Sequence, residues 1–502
     1  MKTKKEKVRV RFAPSPTGSL HVGSVRSALF NYLFAKKNKG KFILRIEDTD
    51  QERSEKKYEK EIFEGFNWLK INPDEGVEEG GNFGPYRQSD RINIYQKYIK
   101  ELIEKNKAYP CFCEEEKLEK ERSTQRKKGE APTYLGTCRN IPEKEREEKI
   151  KNDEDYVIRF KTPKGETVSF EDEIQGQVSF ETDDIGDFVI ARDEKDPLYN
   201  MACVIDDYKM KISHVIRGDE HISNTPKQIL LYESLGFELP KFAHIPLILA
   251  PDKSKLSKRF GAVSIPDYRK KGYLPEAITN YLALLGWSPG DDREFFTLND
   301  LENEFSLERC KKSGAVFDED KLKYINTLHL KKADSERLAK LIIPYLLEEN
   351  LITKVDKKSK KSAYKTKDGR KISINQLTHI AKEHRDRVDV LSEITEYTDY
   401  FFREIKADFG LLQWKDMNKQ QVADSLQQAI NIISKIESWN PEKVKGKLLE
   451  KANEFDDRGE FLWPLRAALT GEKQSAGPFE VAFILKKKET LNRLKRAANT
   501  LK

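Results

Sequence analysis

Residues 7–12 alternate along the chain: Val8, Val10 and Phe12 share one side, Lys7, Arg9 and Arg11 the other. A period of two predicts a strand. The Pro/Ser/Thr/Gly run at 14–19 cannot continue it and predicts a turn. Beyond the turn, Val22, Val25, Leu29, Tyr32 and Leu33 recur at helical spacing, and residues 42–46 form a second short apolar run. Strand, glycine-bearing turn, helix and strand make a βαβ unit. Ligands of such units sit at the carboxyl ends of the strands.

Aromatic-rich helical stretches fill 62–108, and the character changes at Cys111. Residues 114–130 are almost all charged and predict an exposed helix or loop. Short β-like runs follow at Tyr156-Val157-Ile158, Val178-Ser179-Phe180 and Phe188-Val189-Ile190. Residues 111–195 therefore read as an insertion between two halves of a nucleotide-binding fold. The second half resumes near Leu198, with strand candidates at 212–216 and 245–249. Pro275 opens a helix with Ala277, Ile278, Tyr281, Leu282 and Leu285 on one face. Beyond about residue 325 the pattern predicts helices only, and Leu338, Leu341, Ile342, Tyr345 and Leu346 make the clearest stripe. The Lys/Ser-rich run 354–371 is poor in apolar residues and predicts a mobile loop. There is no internal repeat.

A length of 502 residues suggests about three domains. Lys+Arg number 92 against Asp+Glu 85, a formal charge of +7. That mild excess suits a protein that meets nucleic acid on some faces, and equally a Lys/Glu-rich soluble enzyme. The start, Met1-Lys2-Thr3-Lys4-Lys5, lacks the apolar core of a secretory signal, and no stretch has the apolar length to cross a bilayer. Five cysteines without disulfide-like spacing agree with a reducing, cytoplasmic location and no membrane partner.

Two loops carry the candidate chemistry. The first reads Pro14-Ser15-Pro16-Thr17-Gly18-Ser19-Leu20-His21-Val22-Gly23-Ser24. Its backbone N–H groups, with those opening the helix at His21, form a phosphate site. Gly23 lets a flat base lie against the backbone. His21 can donate to a phosphate as charge develops on it. Alone, the same residues also suit a generic βα turn. The second loop, Lys255-Leu256-Ser257-Lys258-Arg259, follows the strand candidate near 244–250. Lys255 and Lys258 can close on a triphosphate and hold the leaving pyrophosphate. Alone it suits a solvated loop; its place at a strand end after a matching first loop favours ATP. No GxxxxGK[ST], GxGxxG or GxSxG competes. Arg11 leads into the first loop, Glu47 ends the next strand, Tyr199 opens the second half, and Arg217 ends the strand at 212–216. Two arginines and an acid suit a substrate with two carboxylates and an ammonium, although each alone also suits a structural ion pair.

The two loops resemble the HIGH and KMSKS motifs of class I aminoacyl-tRNA synthetases. Arg11-Phe12-Ala13-Pro14-Ser15-Pro16-Thr17-Gly18, Arg45-Ile46-Glu47-Asp48-Thr49-Asp50, His214-Val215-Ile216-Arg217-Gly218 and Asn224-Thr225-Pro226 narrow the resemblance to bacterial glutamyl-tRNA synthetases. Pro464-Leu465-Arg466, Leu469-Thr470-Gly471 and Phe479-Glu480-Val481 extend it towards the C-terminus. The resemblance implies an α/β fold: a Rossmann-like parallel-sheet catalytic domain with an inserted α+β acceptor-stem domain, then an all-α anticodon-binding region. The implied divisions are 1–110 and 196–262 for the catalytic halves, 111–195 for the insertion, 263–325 for a helical stem-contact region and 326–502 for anticodon binding. It implies that Arg11, Ser15, Glu47, Tyr199 and Arg217 bind glutamate, that Thr17, His21, Gly23 and Lys258 bind ATP, and that His21, Gly23, Lys255 and Lys258 carry catalysis. Glutamate would be activated by ATP with Mg²⁺ to glutamyl-adenylate, then passed to the terminal 2′-OH of tRNA-Glu, with tRNA needed for the first step. Some members also charge tRNA-Gln; members of this length are monomers.

Zinc-binding members use Cys-x-Cys followed by Cys-x-His. Here Cys111, Cys113 and Cys138 match, but Asn140 replaces the histidine and is a poor zinc ligand. Tyr134 stands where a paralogous family supplies a tyrosine ligand. Either three thiolates and a phenolate hold zinc, or these are three ordinary thiols. Cys203 and Cys310 read as packed residues. The basic groups Lys486-Lys487-Lys488, Arg493, Lys495 and Arg496, and the run 354–371, suit either solvated faces or RNA phosphates. Three other readings compete: a tRNA-modifying paralogue, which lacks the long helical tail; a non-catalytic RNA-binding relative, against which the intact loops argue; and a small-molecule nucleotidyltransferase.

Overall fold

A computed structural model describes residues 7–50, 52–256, 264–355 and 364–501. The chain divides into two compact units, Met1–Arg269 with Pro275–Leu322, and Lys270–Leu274 with Lys323–Lys502.

The first unit opens with the expected βαβ: β1 (Arg9–Phe12), α1 (Val22–Lys37) and β2 (Lys41–Leu44), its strands parallel from Arg9↔Lys41 to Phe12↔Leu44. Next come α2 (Lys56–Leu69), α3 (Ile92–Glu104) and β3 (Ala108–Cys111). Two mostly exposed helices follow, α4 (Glu115–Lys127) and α5 (Glu143–Lys151). Then come β4 (Val157–Phe160), the hairpin of β5 (Thr167–Asp172) and β6 (Gly176–Glu181), a single turn α6 (Thr182–Ile185), β7 (Val189–Asp193) and β8 (Asp196–Pro197). The second half supplies α7 (Tyr199–Lys209), β9 (His214–Gly218), α8 (Thr225–Leu235), β10 (Lys241–Ile245) and β11 (Ile248–Leu249).

β3-β4-β7-β8 form an antiparallel sheet, and β6-β5-β10-β9 form another in which β10 runs parallel to both neighbours. The hairpin from the inserted segment is therefore part of the second half's sheet, through one registered pair, Phe242↔Asp172. β9 meets β1 where Ser213 N–H donates to the Arg9 carbonyl at 2.9 Å. The strand expected at 245–249 is interrupted. Pro246 has no N–H for a ladder, so β10 stops at Ile245 and β11 resumes at Ile248.

The alternation in β1 is real, but its polar face is not solvated. All four β1 residues are buried. Arg9 pairs with Glu75 at 2.7 and 2.8 Å, and Arg11 with Asp207 at 3.0 and 3.1 Å. α1 is likewise enclosed beyond its apolar stripe: Asn31 Nδ2 donates to the Ile216 carbonyl at 2.9 Å and Arg26 Nη1 to that of Leu285 at 3.0 Å.

The second unit is helical, with Ser335–Glu348, Ile374–His384, Lys419–Lys435, Pro441–Ala452, Gly459–Thr470 and Pro478–Asn499 as its longer helices. It is not all-α. Ile352–Lys354, Tyr364–Thr366 and Lys371–Ile372 form a three-stranded antiparallel sheet inside the run expected to be a loop, whose residues 356–363 lie outside the described residues. Too few apolar residues mark it: Ile352, Thr366 and Ile372 are its inward positions, and Gly369 at φ +85° turns the chain. Arg493, grouped above with basic groups suited to solvent or RNA, is buried. It pairs with Glu489 at 2.9 Å and donates to the carbonyls of Tyr400 and Leu469 at 2.8 and 2.6 Å. Among the described residues no helix is long and apolar enough to cross a membrane.

Gly40 joins α1 to β2, with its N–H on the Ala35 carbonyl at 2.8 Å and the next N–H on Val8 at 2.9 Å. A Cβ there would collide with the Val8 carbonyl oxygen, which is tied into the β1–β2 pairing. Gly40→Ala is expected to lower stability by about 1–3 kcal/mol, read from the urea midpoint.

Candidate active site

The first loop leaves β1 and enters α1 at His21, the helix N-cap, with φ −95° and ψ 148°. His21 Nδ1 accepts the Gly23 N–H at 3.1 Å. That bond fixes the tautomer of the neutral ring: Nδ1 accepts and Nε2 carries the proton. A Cβ on Gly23 would meet only the His21 ring, so the backbone there stands open.

The second loop departs from β11. A tight turn returns the chain: Ala250 N–H bonds the Ser254 carbonyl at 2.8 Å, Lys253 takes φ +64°, and Lys255 bridges to Leu249. Lys258 and Arg259 lie outside the described residues. On the loop's far side, Ser264 bridges to His21 and Ile265 N–H donates to the Leu20 carbonyl at 2.9 Å. Ser264 and Ile265, the first described residues beyond the second loop, are thereby anchored beside the N-terminus of α1.

Next to that N-terminus lies a cavity of about 390 Å³. Arg11, Ser15, Gly23, Glu47, Tyr199 and Arg217 all line it. Thr17, His21 and Lys255 do not; His21 borders it through Gly23.

A buried ionic layer adjoins the cavity. Arg11 gives Nε and Nη2 to Asp207, at 3.0 and 3.1 Å, which leaves its Nη1 edge for the cavity. Arg45, 0% exposed, gives Nη1 to Asp207 at 2.7 Å and Nη2 to Glu47 Oε1 at 2.8 Å. Asp206 collects Arg91 Nε at 2.6 Å, Tyr95 OH at 2.9 Å and Gln88 Nε2 at 2.9 Å. Burial alone would raise Asp207, but Arg11 and Arg45 override it and hold it at about 2. Burial pulls Arg11 down and Asp207 more than reverses that, so the guanidinium stays charged. Burial pushes Glu47 above the usual carboxylate range against the pull of Arg45. Cys203 packs against Arg11 and Arg45, and burial with Asp207 pushes its thiol up to about 12.

Also on the lining, Arg217 Nη1 stands 3.4 Å from Tyr199 OH, which in turn lies 3.3 Å from His221 Nδ1. His221 and Glu220 also line the cavity, although the sequence reading did not single them out. Nor did it mark Asp206 or Asp207. Their signal was two adjacent acids in an otherwise apolar helical run, Ala202 to Ile205.

Residues 7–324 match the family described as "tRNA synthetases class I (E and Q), catalytic domain", and residues 337–498 match "Anticodon binding domain". The chain is 45% identical over 500 residues to a glutamate–tRNA ligase of Carboxydothermus hydrogenoformans, a match covering 98% of this chain and 100% of that one. The chain belongs to the glutamate–tRNA ligases, class I tRNA synthetases. Glutamate–tRNA ligase 1 of Caldicellulosiruptor saccharolyticus is 46% identical over 493 residues, covering 97% of this chain and 98% of the relative. A crystal structure of a glutamate–tRNA ligase from Elizabethkingia meningosepticum, in complex with its amino acid, superposes with a TM-score of 0.84 at 34% identity and covers 99% of this chain and 100% of that one.

Outside the cavity, the sulfurs of Cys111, Cys113 and Cys138 lie within 4.8 Å of one another. Tyr134 OH is 3.4 Å from both Cys111 and Cys113 and accepts the Cys138 N–H at 2.8 Å. Asn140, at the position of the family's histidine, is exposed. Arg159 brings Nε to 3.2 Å from Cys111 and sets its guanidinium 4.1 Å from the Tyr134 ring centre. Burial pushes the Cys111 thiol up, but the hydrogen bonds from Tyr134, the Cys113 N–H and Arg159 outweigh it and hold it below its ordinary value, whereas burial pushes the Tyr134 phenol up. The three sulfurs lie close enough to hold one metal ion, with the Tyr134 oxygen beside two of them.

His221 gives this site an acid-sensitive element. Burial, with Arg217 and Arg11, pulls its pKa from 6.5 down to about 4. Between those values the unfolded ring holds a proton that the folded ring refuses, so stability falls as pH drops through the window. From pH 7 to pH 5 the parent is expected to lose about 1 kcal/mol more than His221→Gln, allowing for the ring's partial exposure. Urea midpoints at the two pH values measure this.

Proposed function

We propose that the chain activates L-glutamate with ATP and transfers it to tRNA-Glu, using the cavity at the head of α1 as the glutamate pocket. The supporting observation is its lining: two guanidinium groups, Arg11 and Arg217, and one carboxylate, Glu47, border the same cavity. Glutamate offers the complement, two carboxylates and an ammonium. Glu47, with Oε1 held by Arg45, takes the ammonium; Arg11 and Arg217 take the carboxylates; Ser15 and Tyr199 complete the wall.

The nucleotide lies over Thr17 and Gly23, against the N-terminus of α1. The glutamate α-carboxylate oxygen attacks the α-phosphorus, the bond to the bridging oxygen breaks, and pyrophosphate leaves. His21 Nε2–H donates to the phosphate as charge builds. Lys255 and Lys258 carry the charge of the leaving pyrophosphate. Mg²⁺ bound to the triphosphate neutralises part of the same charge. The 2′-OH of the tRNA's terminal adenosine then attacks the acyl carbon and releases AMP. The segment 111–195 takes the acceptor arm, and the second unit reads the anticodon.

Glutamate-dependent ATP–pyrophosphate exchange with tRNA present, and labelled glutamate transfer onto tRNA-Glu and tRNA-Gln separately, test this. His21→Ala is expected to lower kcat about 10²- to 10³-fold with little change in the glutamate KM. Absence of charging on either tRNA would overturn the reading.

We also propose that Cys111, Cys113, Cys138 and Tyr134 hold a structural zinc, which would tie the end of β3 to the turn at Cys138. Metal analysis of the purified chain is expected to find about one zinc per chain. Tyr134→Phe should lower that occupancy and Asn140→Ala should leave it; zinc-free protein after zinc supplementation would sink the assignment.

A further inference from the structure

Arg217 is held from behind. Its Nε lies 3.1 Å from His244 Nε2 and its Nη2 donates to Thr225 Oγ1 at 2.8 Å. Only Nη1 is turned towards Tyr199 and the cavity. His244 is 0% exposed, and its other ring nitrogen, Nδ1, lies 2.6 Å from Asp172 Oδ2. Asp172 closes β5, on the inserted hairpin, opposite Phe242. Its carboxylate also receives the backbone N–H groups of Ile174 at 3.0 Å, Gln175 at 2.8 Å and His244 at 3.1 Å.

That set of donors fixes the protonation. Burial pushes Asp172 up, but His244 and the Gln175 N–H outweigh it and keep the group below the usual carboxylate range. An ionised carboxylate can only accept. His244 must therefore carry its proton on Nδ1. Burial also pulls the ring below its ordinary pKa, so it is neutral and Nε2 presents a lone pair to Arg217. With the opposite tautomer, two N–H groups would face each other at 3.1 Å.

We propose that Asp172 and His244 are positioning residues for substrate binding: together they fix the one histidine tautomer that aims Arg217 into the glutamate pocket. A purely structural role for the pair would be to join β5 to β10. That join is already made by the backbone and by Gln175 Nε2, which donates to the His244 carbonyl at 3.1 Å. Nε2 of the ring serves neither; its partners are Arg217 and Thr225. The consequence is that a side chain of the amino-acid pocket takes its aim from the inserted segment. The proposal rests on the assignment of Arg217 to a glutamate carboxylate.

The test is steady-state ATP–pyrophosphate exchange with the full chain and tRNA, measuring the glutamate and ATP KM separately. Asp172→Asn keeps shape and the oxygen that accepts the backbone N–H groups, but turns an amide N–H towards His244 Nδ1 and forces the wrong tautomer. It is expected to raise the glutamate KM about 10- to 100-fold and to leave the ATP KM within about twofold. His244→Leu, which removes the acceptor, should do the same, and His244→Gln, which keeps an acceptor facing Arg217, should raise it less. Arg217→Gln is the reference and should raise the glutamate KM at least as far. If Arg217→Gln raises it while Asp172→Asn and His244→Leu leave it unchanged, the positioning role is overturned and the pocket assignment stands. A drop in melting temperature with both KM values unchanged overturns it equally. If Arg217→Gln itself leaves the glutamate KM unchanged, the pocket assignment falls and this proposal falls with it.

Discussion

Arginines without access to water organise the first unit. Arg45 and Arg91 are almost fully buried and Arg11 nearly so. An unpaired ion in such a place costs several kcal/mol, so a fold that buries these side chains must bring acids to meet them. Glu47 is local to Arg45, two residues on. Asp206 and Asp207 come from α7, on the far side of the inserted segment. Docking α7 under β1 and β2 is therefore a condition for closing the sheet. The same bonds set part of the cavity's lining, because Asp207 takes Nε and Nη2 of Arg11 and leaves Nη1.

Conserving that layer costs the site flexibility and returns geometry. Asp207 binds both Arg11 and Arg45, so neither can swing without leaving its own buried charge unpaired and removing a partner from Asp207. Glu47 is similarly pinned through Oε1. A small charged substrate entering such a cavity meets groups already in place, and the ordering cost has been met by folding rather than by binding.

The sequence carried the parts of this site that are local in the chain. A strand, a turn and a helix N-terminus are adjacent residues, so the loop around His21 was legible from spacing alone, and Arg11, Glu47 and Arg217 stood out as charged residues at strand ends. What it could not carry was partnership. Arg9 and Arg11 read as the polar face of a strand because alternation does not say whether the second face meets water or an acid from a later helix. Asp207, His221 and His244 belong to no short motif; their meaning lies in contacts across long separations. The small sheet at 352–372 was missed for a related reason: few apolar side chains mark strands this short, and the lysines around them dominate the pattern. Tyr134 was the opposite case. Its likeness to a tyrosine of a paralogous family named it, and its oxygen lies near the sulfurs of Cys111 and Cys113 while Asn140 is exposed.

The two cationic edges of the cavity are aimed from different parts of the chain. Arg11, in the first half, is held by α7 of the second half. Arg217, in the second half, is held through His244 by Asp172 of the inserted hairpin. Neither half completes the pocket alone, and neither do both halves together without β5. The hairpin's place in the parallel sheet follows from this. A segment that only reached outward towards RNA could hang from the fold on a flexible connection. A segment whose carboxylate must stay 2.6 Å from a buried ring in the sheet cannot. Its strand has to run beside β10, in the register that sets Asp172 opposite Phe242 and its carboxylate on the His244 ring.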